Sequence, residues 1–371
     1  MPSLLPGGDQ SSLRSQNTRR VLQALYDGPS LTIGAVARVT GLSRPTAQAI
    51  LTALVDDELL ILDGFDQVRT GGRPAQRYRF ASAAGILGGI DIGAHSVAVR
   101  VANLNGALLS SGRRSIRSRL SRAARIDAAV DLLREHAGEG SFWSVGAGTP
   151  GVVDTAGVLR LNVALHDWSE VALTDELTER LGCPVASAKE TNLAALGEQR
   201  AGNAQGFDDV LYVHAGHRLG VGLLVGGTVF TGGKGWAGEI GKHPALGWED
   251  GPAKLHRDVG IAESDGSTEW IFAQAALGDA KALRAVDTFA RTLAAGVGAM
   301  VLALDPQLVV LGGGIAQAGR ALLEPLRQHL AEVCYVVPEL VLSALGEQAV
   351  AIGAVELARE GLRASLFATG S

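Results

Sequence analysis

The sequence predicts an α/β protein in two parts, a small helical head followed by a larger two-lobed body. Three observations predict it. The chain has 371 residues, enough for two or three domains at roughly 100–200 residues each. Its 47% hydrophobic content and 49 glycines suit an α/β protein with many tight turns. Charge divides unevenly: residues 1–80 hold nine Arg, no Lys and seven Asp or Glu, whereas the remainder is acidic and the whole chain is −5. The small positive excess of the head is weak support for nucleic-acid binding, because placement matters more than totals.

Composition also excludes. No apolar run reaches the roughly 18–20 residues that a membrane span needs. The first residues, Met1 to Gln16, lack the charged start and apolar centre of a signal peptide. The only two cysteines, Cys183 and Cys334, allow neither a disulfide framework nor a cysteine zinc cage. A cytoplasmic protein without membrane contact is expected.

In the head, a first helix is expected near Asn17 to Tyr26, with Val21, Leu22 and Leu25 inward and Gly28-Pro29 as its stop. A second follows Ser30-Leu31-Thr32 and buries Ile33, Val36 and Ala37. Thr40-Gly41-Leu42-Ser43 supplies the glycine turn of a helix-turn-helix. The third helix runs from Arg44 to about Asp57, with Ser43 as N-cap and Pro45 tolerated in the first turn. Ser43, Arg44, Thr46 and Gln48 lie at the end that a recognition helix presents to base edges. Two strands, at Leu59–Leu62 and Arg77–Phe80, flank a loop carrying Arg69 and Arg73 among Gly and Pro. That loop reads as a wing for a narrow minor groove, and the partner is operator DNA. A helical protein-contact domain is the alternative.

In the body, residues 86–110 read as a meander. Arg125 to Glu139 is helical, and Ser144–Gly148 is a strand running into Thr149-Pro150-Gly151-Val152-Val153-Asp154. A second half repeats the theme: a strand at Val210–Val213, a Gly-rich hairpin at Gly220–Gly227, and Leu308–Leu311 running into Gly312-Gly313-Gly314 and a helix. Two such halves suggest two lobes around a cleft.

The order of the glycine motifs is specific. Asp91-x-Gly93, Thr149-Pro150-Gly151-x-x-Asp154, Gly220-x-Gly222, Ala237-Gly238-Glu239-Ile240-Gly241 and Leu311-Gly312-Gly313-Gly314 resemble the ROK family of repressors and sugar kinases. With the winged helix-turn-helix in front, the chain resembles that family's transcriptional regulators. The resemblance implies an actin-like (ribonuclease-H-like) body and a homodimer or dimer of dimers. It implies a first lobe over 85–195 plus 352–371 and a second over 196–351, after a head over 1–80.

The departures from the family are informative. ROK kinases carry Glu-Asn-Asp-x-Asn, whose Asp is the base. Aligned on Asn192 and Gly197-Glu198, Lys189 replaces the Asn and Glu190 replaces the Asp. Lys189 beside it is expected to lower the basicity of Glu190 if the two side chains converge. The family's zinc ligands fall on Lys242, Lys254, His256 and Ile261, so no metal is expected. The phosphate turns read Ala94-His95-Ser96 and Gly216-His217-Arg218, in place of small or hydroxyl residues. No nucleotide cofactor is therefore expected, and the body reads as a kinase-dead sensor. Three of the five lysines fall on former ligand positions, which suggests a sugar or sugar derivative carrying negative charge. The expected ligand residues are Asn162, Lys189, Glu190, Glu239, Lys242 and Glu263. The alternative is an active kinase with Glu190 as base.

Overall fold

The computed structural model describes residues 10–66, 74–162, 164–165, 167–215, 218–261, 268–313, 315 and 319–367. The head consists of α1 (Gln10–Tyr26), α2 (Ile33–Thr40) and α3 (Arg44–Asp56), with β1 (Leu31–Thr32), β2 (Leu60–Phe65) and β3 (Gln76–Phe80). The strands form an antiparallel sheet in the order β1-β3-β2. Thr32 caps α2 through the Ala35 amide at 3.3 Å, and Ser43 caps α3 through the Thr46 amide at 3.2 Å. Gly41 closes α2 at φ 71°, a left-handed conformation that glycine adopts without steric cost. Helix α1 begins seven residues before the expected Asn17 and has its buried residues, Val21, Leu22, Leu25 and Tyr26, in its last half. Its first turns lack the apolar face that the sequence pattern relied on.

The body holds two five-stranded sheets of one topology. The first contains β4 (Ile86–Ile92), β5 (Ser96–Asn103), β6 (Leu108–Ser115), β7 (Phe142–Thr149) and β10 (Val185–Lys189), in the order β10-β7-β4-β5-β6. The second contains β11 (Val210–Ala215), β12 (Leu219–Val225), β13 (Thr228–Val229), β14 (Leu308–Gly312) and β15 (Glu339–Leu342), in the order β13-β12-β11-β14-β15. In each, a three-stranded meander is extended by two strands parallel to its first. A small pair, β8 (Val152–Val153) and β9 (Leu159–Leu161), follows β7.

Helix α4 (Arg122–Ala137) covers one face of the first sheet with Ile126, Ala129, Val130 and Leu133, and α5 (Leu173–Leu181) adds Leu173 and Leu177 to that core. The second core is built on α7 (Gly251–Val259), α8 (Thr268–Ala276), α9 (Ala280–Leu304) and α10 (Arg320–Val333). Helix α9 is long and apolar enough to cross a membrane, but 61% of its apolar window is buried inside the fold, as a core helix requires. Its apolar stretch, following Arg291, was hidden in the sequence because polar residues crowd its first half.

Two helices join the lobes. Helix α6 (Glu190–Ala201) lies on β11 and β12, and α11 (Ala349–Phe367) lies on β4 and β7. They pack against each other through glycine: a Cβ on Gly353 would strike the Leu193 carbonyl, and one on Gly197 the Ala349 carbonyl. Helix α6 runs unbroken through residue 195, where the sequence places a lobe boundary.

Candidate functional site

Helix α3 presents Arg44, Thr46 and Gln48 to solvent while Ala47, Ile50, Leu51 and Leu54 pack inward. Ser43 is exposed too, but its hydroxyl accepts the Thr46 amide and lies 2.8 Å from the Thr46 hydroxyl. Ser43 and Thr46 thus order the start of the helix, and Arg44 and Gln48 are the long side chains that it exposes there. Arg69 and Arg73 lie outside the described residues, as does Glu263. Truncating Arg44 or Gln48 to alanine is expected to cost about 1–3 kcal/mol of operator affinity, read by fluorescence anisotropy. Equal loss on operator and on unrelated DNA would oppose a base-reading role.

In the body, the parallel strands β4, β7 and β10 end side by side, which brings Asp91, Thr149 and Lys189 to one edge. Ligand sites of open α/β sheets form at such carboxyl ends. Helix α6 starts there with Glu190. Lys189 is buried and its ammonium pairs with Glu239, which sits on a short 3-10 turn, Glu239–Lys242, of the second lobe. The pair therefore bridges the two lobes across the cleft.

Burial pushes the Glu190 carboxyl up to about 7, against a smaller opposing effect of Lys189. Lys189 acts on Glu190 in the expected direction, but burial outweighs it. Burial, with repulsion from Glu190, pushes Asp91 up to about 8. Asp91 Oδ1 and Asn192 Oδ1 are buried without hydrogen-bond partners, as expected of groups reserved for a ligand or an ordered water.

Two expected ligand residues are engaged elsewhere. Lys242 is 84% exposed, and its ammonium lies 3.2 Å from Glu249. It adds no second positive charge to the Lys189–Glu239 pair. The Asn162 side chain is tied into its own loop: its Oδ1 accepts from the Ala164 and Leu165 amides at 2.9 and 2.8 Å, and its Nδ2 donates to the Pro150 carbonyl at 2.6 Å. Asn162 therefore orders its own loop, and Trp168 is buried in the core of the first lobe. At the former zinc positions, Lys254 is exposed, and His256 is buried 3.2 Å from the Thr268 hydroxyl. Trp248 anchors that segment, donating to the Thr292 carbonyl at 3.0 Å.

Sequence reasoning missed three positioning groups. Buried Arg125 donates to the Gly93 and Ala94 carbonyls at 2.6 and 2.9 Å and so fixes the first glycine turn from behind. Glu198, fully buried, accepts from the Ser343 hydroxyl at 2.5 Å and the Leu345 amide at 3.1 Å, which holds the segment entering α11. His214, at the end of β11, is held at about 4 by burial, so it is neutral at pH 7 and offers the second glycine turn no charge for phosphate.

This is the architecture of a ligand-sensing regulator: a winged-helix DNA-binding head on a two-lobed, actin-like body with a polar cleft. Residues 15–66 match the MarR family, and residues 87–254 and 251–361 match the ROK family. The xylose repressor of Bacillus subtilis is 23% identical over 370 residues, 93% of this chain and 95% of that protein. The glucokinase of Thermotoga maritima is 27% identical over 309 residues, 73% of this chain and 96% of that enzyme. A crystal structure of a ROK family transcriptional regulator, a homologue of the E. coli MLC protein, superposes with a TM-score of 0.75 at 21% identity, covering 96% of this chain and 98% of that one. The chain belongs to the ROK family, and it carries the DNA-binding head of that family's transcriptional regulators.

Proposed function

We propose that the chain is a transcriptional repressor whose ROK body senses a neutral monosaccharide and does not phosphorylate it. The interlobe Lys189–Glu239 pair carries this reading: the two charges cancel, and the surrounding polar groups, Glu190, Asp91 and Asn192, suit hydroxyls. The relatives named for xylose and glucose support a pyranose as the ligand class. The charge argument for an anionic sugar loses its basis, because Lys189 and Lys242 both have carboxylate partners. The head over 1–80 and the two lobes act as the units, with α6 and α11 as their shared hinge. In a two-fold dimer, sugar favours one cleft angle and thereby the spacing of two recognition helices on half-sites about one helical turn, or a multiple, apart.

Thermal melting against paired neutral and anionic sugars tests this. Stabilisation by a neutral pyranose, lost in Lys189→Met and retained in Lys242→Ala, is the expected result. The exposed Lys242–Glu249 pair contributes at most about 1 kcal/mol. Selective stabilisation by uronates or sugar phosphates would return the anionic reading, and no response to any sugar would remove the sensor reading.

One observation favours a second reading, a working kinase. A carboxyl held at about 7 is suited to general-base work near neutrality. ATP turnover with a hexose, abolished in Glu190→Gln, would establish it. The altered turns at Ala94-His95-Ser96 and around Arg218, with a neutral His214, favour the sensor.

A further inference from the structure

A cavity of about 450 Å³ lies beside α11, between strands β5 and β6 and the segment that leads from the second lobe into α11. Its polar lining is Arg100, Ser111, Arg113, Glu347 and Gln348. None of the cleft residues Lys189, Glu190 and Glu239 lines it. Arg100 on β5 pairs in register with Ser111 on β6, and Arg113 lies two residues further along, so all three share one face of the sheet. Arg100 is also paired with Gly89, whose missing side chain makes room for Ala351 and Val355, so this is the face that α11 covers. Beyond α11 the outer strands are left uncovered, and the cavity fills that gap.

Charge in the cavity is unbalanced. Arg100 is half-buried, and its guanidinium makes no ion pair or hydrogen bond with any described residue. Burial lowers its pKa, and no carboxylate offsets the effect. Arg113 is paired at 2.6 Å with Glu347, which is 76% exposed. Asp91 lies in the same row of the sheet as Arg113, across Ala98. Burial pushes its carboxyl up to about 8, against the opposing effect of Arg113, so it offsets little of their charge. A desolvated guanidinium without a partner costs free energy, and its fork geometry matches a carboxylate or phosphate. The volume lies within the range of small-molecule sites, roughly 300–1,000 Å³.

We propose that this cavity binds a small carboxylate- or phosphate-bearing anion, with Arg100 as the fixed cation and Glu347 as the group displaced from Arg113. The site is a second input, separate from the sugar cleft. Glu347 belongs to the segment that Glu198 clamps at Ser343 and Leu345 and that continues into α11. Anion binding frees this segment from its tie to β6 and so acts on the interlobe hinge.

Calorimetric titration of the full chain with inorganic phosphate and with malonate, at ionic strength held constant with chloride, tests the site and separates the two anion sources. Saturable binding of one of them is expected. Arg100→Gln should weaken it by about tenfold or more, the loss of a charge-assisted hydrogen bond. Glu347→Gln, a change at an exposed position that leaves the fold intact, should strengthen it severalfold by removing the competitor for Arg113. Binding that is equal in the parent and both variants places the anion elsewhere and overturns the proposal. So does the absence of binding by either anion to the parent and to Glu347→Gln.

Discussion

Replacing Arg359 by alanine is expected to destabilise the protein by about 3 kcal/mol and to uncouple the head from the body. Arg359 lies on α11, buried, and donates to Glu356 at 2.6 and 2.9 Å and to Asp27 at 3.1 Å. Asp27 follows α1 of the head and also meets Arg363 at 3.1 Å. Arg200, near the end of α6, reaches Glu356 at 3.4 Å. One ionic cluster therefore ties α1 to α11, and α11 to the helix whose first residue is Glu190 in the cleft. Tyr26 reinforces the joint: its hydroxyl donates to the Leu104 carbonyl at 2.8 Å, its ring packs on Phe80 and Phe367, and burial pushes its pKa up to about 12. Removing Arg359 leaves Glu356 buried with only the Arg200 contact, and breaking a buried pair in this way costs far more than losing a surface one. The melting midpoint should fall by about 4 °C. Operator binding should persist but lose its response to sugar. Arg359→Lys, which keeps the charge but not the fork, should recover part of the stability. A melting curve and a sugar response matching the parent would show that the cluster carries neither stability nor signal.

The sequence disclosed those parts of the fold whose physics is local. The N-cap Ser43, the glycine turn at Gly41 and the two strands of the head are set by neighbouring residues, and the structure has them near where the pattern put them, with β2 running three residues past the expected Leu62 to Phe65. The two-lobe repeat was visible because each half carries its own Asp- or Gly-rich turn. What could not be read depends on distant partners. Lys189 and Glu190 were recognised as altered positions, but the charge of Lys189 is settled by Glu239, fifty residues away. Lys242 looked equivalent to Lys189 in the sequence. It differs because the 3-10 turn carries one residue into the cleft and the other into water. Arg125 and Arg359 gave no signal, and Glu198 served only as an alignment anchor, since a buried charge on an amphipathic helix looks like an exposed one until its partners are known.

Raising the pH should destabilise the body, and Glu190→Gln should remove much of that loss. Folding lifts Glu190 from 4.5 to about 7 and Asp91 from 3.8 to about 8. A carboxyl whose pKa is raised by folding is harder to ionise in the folded chain. Its favourable share is complete below the unfolded value and is lost as pH rises through the folded value. The window therefore runs from 3.8, the unfolded value of Asp91, to about 8. His214 acts in the opposite sense: depressed from 6.5 to about 4, it weakens the fold as pH falls through that range. At pH 9 Glu190→Gln should be more stable than the parent by roughly 3 kcal/mol, with little difference at pH 4. Asp91→Asn should act in the same direction, and the double variant should gain less than the two singles added, because the carboxyls repel each other. Urea unfolding across this pH range measures it, and parallel profiles for parent and variants would count against the buried pair. Both residues stand at the edge where three parallel strands end, with an unpartnered Asp91 oxygen beside them. Two buried carboxyls that cost the fold stability in this way suit a ligand site, so the stabilised variants should be the ones that no longer respond to sugar.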